Sequence, residues 1–369
     1  MHYHLILTEK CNSQCKYCYK KSMNEENDLQ ERFEFDFTSP VESRVDVEKL
    51  KDFLEKDSDA VLIFYGGEPL MEIEKIKRIM DEIDVNYRMQ SNGKLLDKLP
   101  IEYLKRIEKI LISIDGDKKT TDDNRGEGTY DLVMKNLKKI KTENYKGEIV
   151  ARMTIAQDKP EMFKQVKHLL ENGFDSIHWQ LDVGFYKHDF DYDKISWFLD
   201  HYNNSVSLLF NYWIRNLEEG KVLMIYPFVD IVDSILKGEE VKLRCGSGHA
   251  GYTIGTDGKI YACPIMNSME DFVAGNLNNN PEDLKKFDVD GRCDECDVRG
   301  ICGGRCLYWN KTKLWPEEGN DLVCNSIKYL IKMIEGEIPR IKDLIKEGKL
   351  SKDSFEHGKY FGPEIIPWN

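Results

Sequence analysis

Cysteine placement constrains this chain more than any other feature. Ten cysteines fall in two groups, three before residue 20 and seven between residues 245 and 324, and the 226 residues from Tyr19 to Arg244 contain none. That distribution implies a metal-binding element at each end of a cysteine-free body. The first group is Cys11-Asn-Ser-Gln-Cys15-Lys-Tyr-Cys18, directly after a short apolar run from Tyr3 to Leu7. Thiolates hold iron–sulfur clusters, and a four-iron cubane held by only three cysteines leaves one iron open to bind and activate something else. A structural zinc is the alternative. It needs a fourth Cys or His nearby, for which His2 and His4 are the available residues.

The rest of the composition narrows the class. With 369 residues and 41% apolar content the chain holds one large domain or two to three ordinary ones. No apolar run reaches the length of a membrane span. The start, MHYHLILTEK, lacks the basic opening and small-residue cleavage site of a signal peptide. A cytoplasmic location away from membranes is therefore expected, and there cysteines serve as metal ligands more often than as disulfides. A net charge of −13 argues against a nucleic-acid backbone as partner and tolerates a basic peptide.

Strand-like and helix-like segments alternate through the first half. Apolar runs predict strands at Tyr3–Leu7, Ala60–Tyr65, Asn86–Gln90, Ile110–Ile114, Ile149–Ile155 and Ser176–Val183. Amphipathic patterns predict helices at Val45–Glu55, Ile73–Ile83, Ile101–Ile107, Tyr130–Ile140 and Lys159–Leu170, the last capped by Asp158 and stopped by Gly173. Such alternation means a parallel sheet with right-handed crossovers. Six strands are too few for a closed eight-fold barrel, so the expected fold is α/β, a partial (β/α)6 TIM-like barrel. Ligands gather at the C-terminal ends of such strands. The turns there are polar or glycine-rich: Gly66-Gly67-Glu68-Pro69, Gln90-Ser91-Asn92-Gly93 and Ser113-Ile114-Asp115-Gly116. Arg152, amid apolar neighbours in the fifth strand, either pairs with a carboxylate in the barrel mouth or points out between helices, and Gln180 and Asp182, alternating with apolar residues in the sixth, face either substrate or water. The acidic, aromatic insertion from Lys20 to Arg44 is a lid or an ordered excursion without a role. Tyr192–Leu217 reads as a helix whose Trp197, Phe198, Phe210 and Trp213 pack a core.

The spacing C-x3-C-x2-C, with Tyr17 before the last cysteine and Gly-Gly-Glu-Pro at the second strand, resembles the signature of radical S-adenosylmethionine (SAM) enzymes. In that family the open iron chelates SAM, and the 5′-deoxyadenosyl radical released from it abstracts a hydrogen atom. The resemblance implies that Cys11, Cys15 and Cys18 hold a 4Fe–4S cluster. It implies SAM contacts from Tyr17, Gly66, Gly67, Glu68, Ser91, Asn92, Ser113, Asp115, Arg125 and Leu181. Arginine suits a carboxylate through its fork of donors; a surface loop role is the alternative for Arg125.

The second cysteine group reads Cys245, Cys263, Cys293-x2-Cys296-x5-Cys302-x3-Cys306 and Cys324, with a hairpin expected at Ile254–Cys263 and turns at Gly300, Gly303 and Gly304. It resembles the SPASM extension of radical SAM enzymes, an iron–sulfur domain with two auxiliary 4Fe–4S clusters. By that likeness Cys293, Cys296, Cys302 and Cys324 hold one cluster, and Cys245, Cys263 and Cys306 hold the other. Three cysteines leave an iron there open, or closed by His249, an acid or water. The expected arrangement is a radical SAM barrel over 1–190, a helical bridge over 191–240, a SPASM domain over 241–325, and a helix (Leu322–Lys346) and tail over 326–369.

The implied function is an oxidoreductase modifying a peptide or protein side chain, with ferredoxin or flavodoxin as electron donor. A cysteine bound to an open auxiliary iron would form a thioether. Pro264 stands where sulfatase maturases carry an acidic base, which argues against formylglycine formation. Action on a small molecule or cofactor precursor is the alternative among enzymes. An iron–sulfur electron carrier is the alternative outside them, and it has no need of the glycine-rich turn or Arg125.

Overall fold

The computed structural model describes residues 1–18, 27–184 and 187–357. The chain divides into two units. One comprises Met1–Ile114, Thr121–Val150 and Gly246–Asp288; the other comprises Asp115–Thr120, Ala151–Cys245 and the residues from Val289 onward.

The first unit is built on a sheet whose strands run in the order β4-β3-β2-β1-β7-β8-β9. Here β1 is His2–Thr8, β2 Val61–Gly66, β3 Asn86–Ser91, β4 Ile107–Ser113, β7 Gly251–Ile254, β8 Lys259–Tyr261 and β9 Val273–Asn276. All seven residues of β1 are buried, as expected of a strand covered on both faces. Its two neighbours, β2 and β7, are both parallel to it, with His2 opposite Val61 on one side and Gly251 on the other. Alternate side chains of β1 face opposite ways. Tyr3 packs edge-on against Phe53, ring centroids 5.2 Å apart. Phe53 belongs to α1 (Val47–Leu54), whose Val47, Leu50, Phe53 and Leu54 are buried, each such side chain stabilising the fold by about 1.5–3 kcal/mol. Asp46 caps α1 by accepting from the N–H groups of Glu48 and Lys49. Helix α2 (Ile73–Glu82) follows β2.

The predicted hairpin is β7–β8, antiparallel, with Thr253 opposite Tyr261. It does not stand apart from the barrel sheet, because β7 extends that sheet beside β1. Within the described part of the 20–44 insertion, residues 34–36 pair with the segment 268–271: Phe35 bridges Met269, and Asp36 N–H donates to Ser268 O at 2.9 Å. Phe33 packs on Phe272 with centroids 5.6 Å apart. Residues 20–26 of the insertion lie outside the described residues.

The second unit holds most of β5 (Glu148–Ile155) and all of β6 (Ser176–Leu181), which are neighbours in the sheet. After α3 (Lys118–Arg125) and α4 (Thr129–Thr142), helix α5 spans Phe163–Glu171. It starts four residues later than expected. Asp158 does not cap it; the N–H groups of Met162 and Phe163 donate to Ser205 Oγ at 2.9 and 3.0 Å. Ser205 lies on α6 (Tyr192–Glu218), where Phe198, Phe210 and Trp213 are buried and Trp197 is 47% exposed. Trp197 is thus a surface residue, its ring tilted against that of His201 with centroids 4.3 Å apart. Helix α7 (Tyr226–Lys237), the one-turn α8 (Arg299–Cys302) and α9 (Leu307–Thr312) precede α10, Glu317–Lys346. Helix α10 packs along α6, α7 and α8, and Ser326 Oγ donates to Asn203 at 2.6 Å. Among the described residues no helix is long and apolar enough to cross a membrane. The tail that carries Phe361, Pro363 and Trp368 lies outside the described residues.

Candidate functional site

The first cysteine loop leaves the end of β1, and the Gly66-Gly67-Glu68 turn is pressed onto it. Gly67 N–H donates to Thr8 O at 2.8 Å and Glu68 N–H to Lys10 O at 2.9 Å. A Cβ at Gly66 would stand 2.4 Å from Thr8 O, and one at Gly67 would stand 2.2 Å from Lys10 O. Only glycine allows backbone to pass that closely. The glycines thus let this turn lie against the chain entering the cysteine loop.

Glu68 ties two strand ends together. Its Oε1 accepts from Leu70 N (3.1 Å) and Ser91 Oγ (2.8 Å), and its Oε2 accepts from Asn92 N (2.7 Å). The side chain has no solvent exposure, and burial pushes its carboxyl up to about 7. Asn92 reaches from the end of β3 to the loop: its Nδ2 donates to Asn12 Oδ1 at 2.6 Å and Ser13 Oγ at 3.3 Å, and stands 3.9 Å from Cys11 Sγ. Arg125, at the end of α3, places Nη1 4.0 Å from Cys15 Sγ and its guanidinium 5.3 Å from the Tyr17 ring centroid. Cys11, Cys15, Tyr17, Glu68, Ser91, Asn92 and Arg125 are thus brought together, with Asn12 and Ser13 as members that sequence reading missed. Ser113 closes β4 in the same unit. Asp115 and Leu181 belong to the other unit, where Asp115 Oδ1 accepts from Thr154 N at 2.9 Å and Leu181 is buried at the end of β6. His2 and His4 lie inside β1; burial lowers His4 to about 4.

In the second unit, Arg152 donates to Gln180 Oε1, and Gln180 Nε2 donates to Thr154 Oγ1 at 3.1 Å. Asp189, unnoticed in the sequence, accepts from Trp315 Nε1 at 2.6 Å and Gln157 Nε2 at 3.3 Å. Burial raises it to about 6, so it changes charge just below neutral pH.

The second cysteine group is divided: Cys263 is in the first unit, and Cys245, Cys293, Cys296, Cys302, Cys306 and Cys324 are in the second. Val241 N–H donates to Gly300 O and Leu243 N–H to Gly303 O, at 2.8 and 2.7 Å, which lays the segment leading to Cys245 along the Cys302 turn. A cavity of about 80 Å³ is lined by Cys293, Cys306, Cys324, Arg305, Trp309 and Asn310, among others. Burial pushes Cys302 up to about 11, opposed by the N–H groups of Gly304 and Arg305 that donate to its sulfur. Burial lowers the Arg305 guanidinium, while the thiols of Cys324, Cys306, Cys302 and Cys293 pull the other way. Among the described residues no three His, Cys, Asp or Glu side chains converge on a single ion. A cubane makes no such demand, because each thiolate holds a different iron. The buried cation among thiols fits an anionic iron–sulfur group.

A sequence profile of the radical SAM superfamily matches residues 5–184. The chain is 26% identical over 332 residues to an uncharacterized protein of Archaeoglobus fulgidus, spanning 85% of this chain and 75% of that one. It is 25% identical over 375 residues to the radical SAM cyclopropyl synthase TigE of Paramaledivibacter caminithermalis, spanning 93% and 75%. Among solved structures, anSMEcpe with bound SAM and the Cp18Cys peptide superposes with a TM-score of 0.67 at 19% identity, over 94% of this chain and 99% of that one. Streptococcus suis SuiB bound to its precursor peptide SuiA superposes with a TM-score of 0.55 at 13% identity, over 85% and 73%. These two likenesses are of fold. Radical SAM proteins bind a 4Fe–4S cluster and SAM. Residues 5–184 form a radical SAM domain.

Proposed function

We propose that this radical SAM enzyme is an oxidoreductase of the SPASM kind that modifies a side chain of a peptide or protein, joining a carbon to a cysteine sulfur. The observation that carries the reading is the second cysteine group, with buried Arg305 lining a cavity together with Cys293, Cys306 and Cys324. Cys293, Cys296, Cys302 and Cys324 would hold one auxiliary cluster and Cys245, Cys263 and Cys306 the other. Likeness in fold to the peptide-bound anSMEcpe, over 94% of this chain, supports a peptide partner.

In the first unit Cys11, Cys15 and Cys18 would hold the cluster that binds SAM. Glu68 Oε2 accepts a single hydrogen bond among the described residues, leaving it able to take an ammonium group. Arg125 would meet the SAM carboxylate, and Gly66, Gly67, Ser91, Asn92, Ser113 and Tyr17 would complete the pocket. Reductive cleavage of SAM, fed by ferredoxin or flavodoxin, supplies the group that carries off a substrate hydrogen atom. The thiol loses the second hydrogen as a proton, and the remaining electron passes to auxiliary iron. A second reading, favoured by the TigE likeness, closes a carbon–carbon bond instead.

Mass spectrometry of peptide products under anoxia tests both. A loss of two hydrogens that blocks thiol alkylation is expected. The same loss with a free thiol would replace the thioether by the carbon–carbon bond, and deoxyadenosine without any peptide change would sink the peptide reading. Iron analysis should give roughly twelve irons per chain, falling to roughly eight when Cys11, Cys15 and Cys18 are all changed to Ala.

A further inference from the structure

Arg305 lies inside the Cys302-Gly-Gly-Arg-Cys306 spacing. Its backbone is left-handed (φ +61°), following Gly303 and Gly304 at +74° and +93°, a conformation uncommon for a residue with a side chain. The turn aims its guanidinium inward, 3.3 Å from the centroid of the Trp309 ring. Trp309 is fixed in turn by a hydrogen bond to Asn320 and by Trp315, whose ring centroid is 5.2 Å away. Arg305 is 7% exposed. Its Nη1 is buried with no hydrogen-bond partner, and no carboxylate pairs with the guanidinium among the described residues. The acids that line the same cavity are engaged elsewhere, Asp290 with Lys311 and Glu317 with Arg292.

An uncompensated buried cation is among the costliest arrangements a fold can hold. The groups that share its cavity are cysteines assigned above to iron, which carry negative charge only as thiolate ligands. Resting on that assignment, we propose that Arg305 is the built-in counter-ion of the iron–sulfur group held by Cys293, Cys296, Cys302 and Cys324, and that it raises the reduction potential of that group. Reduction adds negative charge, so a fixed cation and a sulfur-directed N–H favour the reduced form. Trp309 holds the cation in place by stacking.

Potentiometric EPR on the fully reconstituted protein tests this, comparing wild type with Arg305→Lys, Arg305→Gln and Arg305→Met. With iron content unchanged, one midpoint should move to more negative potential in Gln and Met and stay nearest wild type in Lys. Full iron with an unmoved midpoint in Met overturns the inference alone. Zinc, or only roughly four irons per chain in wild type, overturns the auxiliary-cluster reading and this inference with it. Should Gln and Met fail to hold iron, wild type labelled with 15N-arginine decides. A nitrogen coupling to a reduced auxiliary centre by pulsed EPR, retained in Arg299→Lys, is expected, and its absence overturns the assignment.

Discussion

Glu68 couples protonation to the architecture of the SAM-domain turn. Three donors favour its charged form, but burial outweighs them and sets the carboxyl near 7. Its folded value lies above its unfolded one, so folding binds a proton between them. The stability this contributes is fully present below about pH 4.5 and is lost as pH rises through about 7, roughly 3 kcal/mol in all. Urea unfolding of the cluster-free protein at pH 5 and pH 8 should show that loss. Glu68→Gln should abolish the difference, so its cost relative to wild type should be larger at pH 5, where Glu68 is protonated, than at pH 8. A pH dependence unchanged in the variant would show that Glu68 does not carry it. Resemblance to the family's turns singled out Glu68, Ser91 and Asn92, which hydrogen bonds hold together. Asn12 and Ser13 were not legible, because their partner, Asn92, arrives from β3 and leaves no mark on the local pattern.

Elements were legible where the pattern is local. The six barrel strands follow their apolar runs to within a few residues. The helix expected over Ile101–Ile107 stops at Leu104, because Ile107 already opens β4. Helix α5 starts late because Pro160 precedes it and Ser205 from α6 takes the capping role. The position of β7 beside β1 was not legible, since a parallel pairing between segments some 250 residues apart adds nothing to the periodicity of either strand. It is testable at Thr253, fully buried and paired on both sides. Thr253→Pro removes a ladder donor from a central strand and should cost about 3 kcal/mol or more, read as a lowered denaturation midpoint. A wild-type midpoint would mean that β7 contributes little to the sheet.

At the scale of the whole molecule, sequence order and spatial order part company. The first unit takes residues from the start, middle and last third of the chain, so the two cysteine groups do not map one to each unit. Cys263 sits in the unit that holds Cys11, Cys15 and Cys18. The flank of β1 has a further consequence, for biogenesis. During synthesis β1 gains β2 early, but its other side stays open until residues 251–254 are made. During that interval a buried-type strand presents unpaired backbone, the situation that invites pairing with another chain. A fragment ending at residue 190 should therefore self-associate in sedimentation where the full chain does not. The nascent protein has reason to meet a chaperone before it meets iron.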